Sequence, residues 1–189
     1  MQIESIDTSA RVIRARLSPF GLEVLVRAPA SALTALPSAW LRGWVRDHRV
    51  LVLRGFSPID RDALVALARA LGASRSDVRA SDDDADLCAA SGHAVQIDRE
   101  IFFHSDGSEA VRPRYLVFHC DEAPPPGSGG EAIFCDPARA RGRLYDPEAC
   151  YVHAWREGDV LLADNHALFH GRAAFAQEAR RRVRRVNVT

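Results

Sequence analysis

The stretch from Asp159 to Val188 constrains the fold more than any other. Val160-Leu-Leu-Ala163 is a short apolar run, Asp164-Asn165 is a turn-forming pair, and Ala167-Leu-Phe-His170 leads into Gly171-Arg172. Nine residues after Arg172 the segment Arg181-Arg-Val-Arg-Arg185-Val-Asn-Val188 begins. Short apolar segments separated by turn residues are the mark of successive strands in an all-β framework. In an extended chain alternate side chains share a face, so Arg181, Val183 and Arg185 point one way and Arg182 and Arg184 the other. Two guanidinium groups on the face of a valine suit an internal strand with a polar interior.

Upstream the pattern repeats. Leu22–Val26, Val50–Leu53, Tyr115–Cys120, Ala132–Cys135 and Tyr151–Trp155 all read as strands. A weak alternation through residues 1–17 suggests another. Two segments have helical spacing instead. One spans 31–47, with Leu33, Leu36, Trp40, Leu41, Trp44 and Val45 on one side. The second follows Pro58 and Asp60, with Leu64, Leu67, Ala68 and Leu71 on one face and Gly72 as its stop. The expected architecture is mainly β with flanking helices, a β-sandwich or jelly roll. At 189 residues one domain is expected. Its parts are a helical front end with strands over 1–72, a mobile surface loop over 74–92 and a jelly-roll core over 94–189. The loop expectation rests on its serines and on the acidic run Asp82-Asp83-Asp84 with Asp86.

With 25 basic and 25 acidic residues the chain has no net charge to draw it to nucleic acid or an anionic membrane. Cys88, Cys120, Cys135 and Cys150 lack Cys-x-x-Cys spacing and suit reduced thiols. No apolar stretch reaches spanning length, and no leader pattern opens the sequence. The expectation is a cytoplasmic protein acting on a small molecule, with neither nucleic acid nor membrane as partner. A homo-oligomer stays open.

The chemistry-bearing residues are few. In Phe102-Phe103-His104-Ser105-Asp106-Gly107, an imidazole and a carboxylate two residues apart can reach one point from an extended chain. With His170 they make two histidines and one acid, the set that holds non-haem Fe(II) and leaves coordination positions open. His119, alternating with apolar neighbours, reads as packed rather than ligating. Asp164-Asn165 reads as a turn former, with support of the ligands as the alternative role for Asn165.

These segments resemble the taurine dioxygenase family of Fe(II)/2-oxoglutarate-dependent oxygenases. The likeness rests on Phe103-His104-Ser105-Asp106-Gly107, on Gly129-Gly-Glu-Ala-Ile-Phe134, and on Asp164-Asn165…His170-Gly171-Arg172…Arg181…Arg185-Val186. It is nearest to the branch that acts beside isocyanide synthases. It implies a double-stranded β-helix, the cupin-like jelly roll, with His104, Asp106 and His170 as metal ligands and catalytic centre. Fe(II), 2-oxoglutarate and O₂ are the implied cofactors and co-substrates. Arg181 would anchor the far carboxylate of 2-oxoglutarate, with Arg184 as its rival. Ala132 would line the co-substrate site where the family often has threonine. Arg185 and Phe103 would meet the substrate. The implied reaction is hydroxylation or desaturation of a small amino-acid-derived compound in a biosynthetic pathway, releasing succinate and CO₂. The span from Cys135 to His170 is short for the family, so a roofing helical insertion is expected to be reduced or missing. Two alternatives remain: an inactive member of the family, and a barrel binding a polyanion through its arginine-rich last strand.

Overall fold

The computed structural model describes residues 2–7, 12–26, 32–56, 59–72, 80–82, 99–108, 110–143, 145–176 and 178–189. Its twelve strands are β1 Gln2–Asp7, β2 Val12–Arg16, β3 Leu22–Val26, β4 Val50–Arg54, β5 Ala80–Asp82, β6 Ile101–His104, β7 Tyr115–Glu122, β8 Ala132–Cys135, β9 Cys150–His153, β10 Val160–Asp164, β11 Phe169–Arg172 and β12 Arg182–Val188. Two α-helices, α1 Ser38–His48 and α2 Arg61–Leu71, lie near the front of the chain.

The strands form two sheets. The larger runs β1-β2-β3-β4-β10-β7-β12-β5, and the smaller runs β6-β11-β8-β9. The neighbours β10-β7-β12 and β6-β11-β8 are all antiparallel, as a jelly roll requires. The expected mainly-β fold with flanking helices is therefore the observed one.

The continuous apolar runs are explained by burial on both faces. Leu51, Leu53, Val117, Leu162, Val186 and Val188 pack with Leu41 and Val45 of α1 and Leu64, Leu67 and Leu71 of α2. Their alternate neighbours Val50, Val52, Leu116, Phe118, Leu161 and Val183 pack with Phe134, Tyr151 and Trp155, on and just after the smaller sheet. The larger sheet thus has helices behind it and the site in front of it.

Both ends of α2 are set by recognisable chemistry. The Asp60 carboxylate accepts a hydrogen bond from the Ala63 amide at 2.8 Å, and Gly72 closes α2 at φ 118°. The first helical segment is split, because Pro37 separates a 3₁₀ turn at Leu33–Ala35 from α1. Within 74–92, Ala80–Asp82 is not loop: it pairs with Arg184, Arg185 and Val186 at the edge of the larger sheet. The rest of the expected mobile loop lies outside the described residues. So does Cys88.

Candidate metal centre

His104 and His170 are brought together by strand register. They stand directly opposite each other across β6 and β11, with ring centroids 4.2 Å apart. Gly171, next in the chain, permits this approach: a Cβ there would lie 2.6 Å from the Ile101 carbonyl oxygen. Phe134 stacks beside His170 with ring centroids 6.3 Å apart. Asp106 follows the end of β6, with its Oδ1 3.6 Å from His104 Nε2 and 3.8 Å from His170 Nε2.

Asp106 is held by the turn after β10. Asn165, almost fully buried, accepts a hydrogen bond from the Asp106 amide and returns one to the Asp106 carbonyl, both at 3.1 Å. Its amide also donates to the Pro113 carbonyl at 2.8 Å. The expectation that Asn165 mainly forms a turn is corrected. The turn exists, but the side chain points inward and fixes the acid.

The donor set fits a metal ion. One ligand atom from each of His104, Asp106 and His170 lies within 4.8 Å of the others. His104 Nε2 and His170 Nε2 are buried without a hydrogen-bond partner. Two buried imidazole nitrogens left open beside a carboxylate would be costly unless something binds them. His104 Nδ1 is 2.9 Å from the Phe102 carbonyl oxygen, a contact that leaves Nε2 to face the centre.

Electrostatics prepare the set unequally. Contact with Asp106 raises the His104 pKa against the opposing effect of burial. Burial, then the neighbouring His104, pushes His170 down to about 3, so it is neutral at ordinary pH. Burial disfavours the Asp106 charge, but contact with His104 and the positive field of Arg185 outweigh it and hold the carboxyl below its usual range. Arg185 Nη1 lies 2.9 Å from Asp106 Oδ2.

A cavity opens from the centre, lined by Ile101, His104, Phe118, Ala132, Phe134, Trp155, His170, Gly171, Arg172, Arg181 and Arg185. It brings together His104, His170, Ala132, Arg181 and Arg185, with Asp106 at its edge through Arg185. Arg181 donates from Nε to the Gly130 carbonyl at 3.1 Å and lies 6.0 Å from the Trp155 ring. Arg184 points the other way, where it binds both Asp121 oxygens at 2.7 Å and sits 2.9 Å from His119 Nδ1. His119 is accordingly packed. Phe103 does not line this cavity and rests instead on Tyr145, with ring centroids 4.5 Å apart. Trp155, Phe118 and Arg172 line the cavity although sequence reasoning gave them no role there. Arg172 stands inside the quoted motif, while Trp155 and Phe118 carry no signal beyond strand hydrophobicity.

Comparison with known proteins agrees with this geometry. The chain is 26% identical over 275 residues to 3-((Z)-2-isocyanoethenyl)-1H-indole synthase of Fischerella ambigua, covering 97% of this chain and 98% of that one. It is 26% identical over 255 residues to tyrosine isonitrile desaturase of Pseudomonas aeruginosa, covering 89% and 87%. Among solved structures it superposes with a TM-score of 0.74 on PvcB, described as an Fe, alpha-ketoglutarate dependent oxygenase from an isonitrile synthetic pathway. That match has 24% identity and covers 100% of this chain and 94% of the other. An alignment of 275 residues exceeds this chain's 189, so at least 86 aligned positions face no residue here. The family model matches in two pieces, residues 13–144 and 141–187, and they meet between β8 and β9. The two pieces overlap within the span after Cys135 that is expected to be short. With the match running through the ligand-bearing strands, the chain belongs to the taurine catabolism dioxygenase TauD, TfdA family.

Proposed function

We propose that the chain is an Fe(II)/2-oxoglutarate-dependent oxygenase acting as a single domain on a small, amino-acid-derived compound of an isonitrile pathway. The observation that carries this reading is the convergence of His104, Asp106 and His170, with both imidazole Nε2 atoms buried and open, beside a cavity containing Arg181. The substrate class is supported by the relatives, whose names refer to isocyanoethenyl-indole and tyrosine isonitrile.

In this reading His104, Asp106 and His170 hold Fe(II), which with 2-oxoglutarate and O₂ supplies the oxidising chemistry. Neutral His170 and ionised Asp106 are in the protonation states a cation needs; His104 must release its proton. Arg181 receives the far carboxylate of 2-oxoglutarate through a planar, permanently charged fork. Ala132, Phe118, Phe134 and Trp155 keep that contact dry, so the charge attraction is not weakened by water. Arg185 shares Asp106 in the described state. Arg185, which lines the cavity, would receive an anionic group of the substrate. Ile101 takes the lining place expected of Phe103.

The test is to incubate the protein with Fe(II), 2-oxoglutarate and 2-isocyano derivatives of tyrosine and tryptophan, measuring succinate and product mass. Succinate formation stimulated by one compound, and lost in His104→Ala, is the expected result. A product lighter by two hydrogens marks desaturation, and one heavier by one oxygen marks hydroxylation.

A second reading, an inactive family member, is favoured by one observation: at least 86 aligned positions of the Fischerella ambigua relative face no residue here. It predicts 2-oxoglutarate binding without succinate from any compound. A polyanion-binding role for β12 has less to stand on, because Arg184 is engaged by Asp121 and Arg181 and Arg185 line the cavity. Among the described residues no helix is long and apolar enough to cross a membrane. A cytoplasmic location and action without nucleic acid are proposed with this function.

A further inference from the structure

Cys135 and Cys150 stand directly opposite each other on β8 and β9. The next pair outward, Asp136 and Ala149, is joined by a backbone hydrogen bond of 2.9 Å. Antiparallel ladders alternate, so the cysteines occupy a non-hydrogen-bonded pair, where Cα atoms approach to about 4.5 Å and side chains lie closest. That separation falls at the short end of the roughly 4.4–6.8 Å that a disulfide spans. The two thiols interact with each other across the pair. Both are reduced in the described structure.

Their position gives the pair a consequence. Residues 136–149 between them form the β8–β9 connection, where the two matched pieces of the family model meet. That connection contains Tyr145, which rests on Phe103 beside His104 and donates a hydrogen bond to Glu100 at 3.3 Å. Cys135 also stands opposite Phe169 on β11, one row along the sheet from the row of His170 and Phe134.

We propose that Cys135 and Cys150 are a two-electron thiol–disulfide pair that clasps the root of the 136–149 connection. The oxidant is a small disulfide such as oxidised glutathione. Cys150, partly exposed, loses its proton to solvent and attacks, forming a mixed disulfide and releasing one glutathione thiolate. Cys135, fully buried, then attacks the Cys150 sulfur, loses its own proton and expels the second glutathione. The protein loses two hydrogens, and one small disulfide becomes two thiols. Burial pushes the Cys150 thiol up to about 12 and raises Cys135 as well, so exchange is slow near neutrality.

The test equilibrates the folded protein with graded ratios of oxidised to reduced glutathione at mildly alkaline pH. Remaining thiols are then alkylated under denaturing conditions and the peptides mapped by mass. The expected result is a linked peptide pair containing Cys135 and Cys150, lost on reduction, with a higher melting temperature for the linked form. Cys135→Ser should instead trap glutathione on Cys150, and Cys150→Ser should leave Cys135 free. Circular dichroism of each variant reports whether it folds. Persistent glutathione on wild-type Cys150 without a link, or a link that forms only after unfolding in urea, overturns the proposal.

Discussion

The Asn165 side chain grips the backbone of Asp106 from both sides, accepting from its amide and donating to its carbonyl. Fifty-nine residues separate the two in sequence, and the turn after β10 joins them. Asn165→Ala should leave two buried backbone groups of Asp106 without partners, costing about 1–3 kcal/mol for each. The acid would lose its fixed direction, and Fe(II) affinity should fall about 10–100-fold, the usual cost of losing a group that orients a ligand. Anaerobic Fe(II) titration measures it. Unchanged affinity in a folded variant would show that Asp106 needs no such support.

The two arginine candidates on β12 separate by face. Arg181→Gln should weaken 2-oxoglutarate binding by about 2–5 kcal/mol while leaving metal affinity near the wild type. Arg184→Gln should spare the co-substrate and cost about 1–3 kcal/mol of folding stability, because it abandons the Asp121 carboxylate. Co-substrate titration and urea unfolding of both variants decide between them. A co-substrate defect in Arg184→Gln alone would reverse the assignment.

Much of this was legible in the sequence because it depended on period. The runs Val50–Leu53 and Val160–Ala163 are apolar at every position, which is what burial between helices and a second sheet demands. The same two-residue period placed Arg181 and Arg185 on one face. Three things escaped it. A short polar strand, Ala80–Asp82, owes its pairing to β12 rather than to its own composition. The orientation of Asn165 depends on where Asp106 and Pro113 lie in space. Phe103, next to His104, faces away from the cavity by plain alternation, while Ile101 joins the lining because β6 is irregular against β11: His104 pairs with His170 but Ile101 with Arg172, so three steps on one strand match two on the other.

Gly171 carries the close approach of β11 to β6. In Gly171→Ala the added carbon meets the Ile101 carbonyl oxygen at 2.6 Å, and that atom belongs to backbone that cannot swing aside. The strands must part, taking His104 from His170. The expected outcome is a stability loss of about 1–3 kcal/mol, typical of overpacking, with a larger proportional loss of Fe(II) affinity. Thermal unfolding and metal titration on the same sample show whether the two losses separate.

Metal uptake should depend on pH mainly through His104. Its pKa is raised, so a proton competes with the cation at higher pH than for a free imidazole of about 6.5. His170, pushed down to about 3, competes only in strong acid. Fe(II) affinity should therefore climb as pH rises through and just above the ordinary imidazole range, releasing one proton in that window. Calorimetry in buffers of different ionisation enthalpy counts that proton. Release of none, or of two, would contradict the unequal preparation of the pair.

Behind the cavity, Asp159 ties three elements together and should set the acid limit of the fold. Arg54 contacts its two carboxylate oxygens at 2.8 and 3.0 Å, and His153 Nε2 lies 3.1 Å away. Burial opposes the Asp159 charge, but contact with His153 and Arg54 outweighs it, so the folded pKa lies below the unfolded value of about 3.9. The stability it contributes is then fully present above the unfolded pKa and lost as pH falls through the folded one. His153, whose pKa burial lowers, acts in the same direction from about pH 6.5 downward, because the unfolded chain takes up its proton first. Urea midpoints should thus fall from pH 7 toward pH 3. Asp159→Asn should start lower at pH 7, with Arg54 left to Glu23 alone, and lose less below pH 4. If the two curves run parallel through that range, the carboxylate is not what fails in acid.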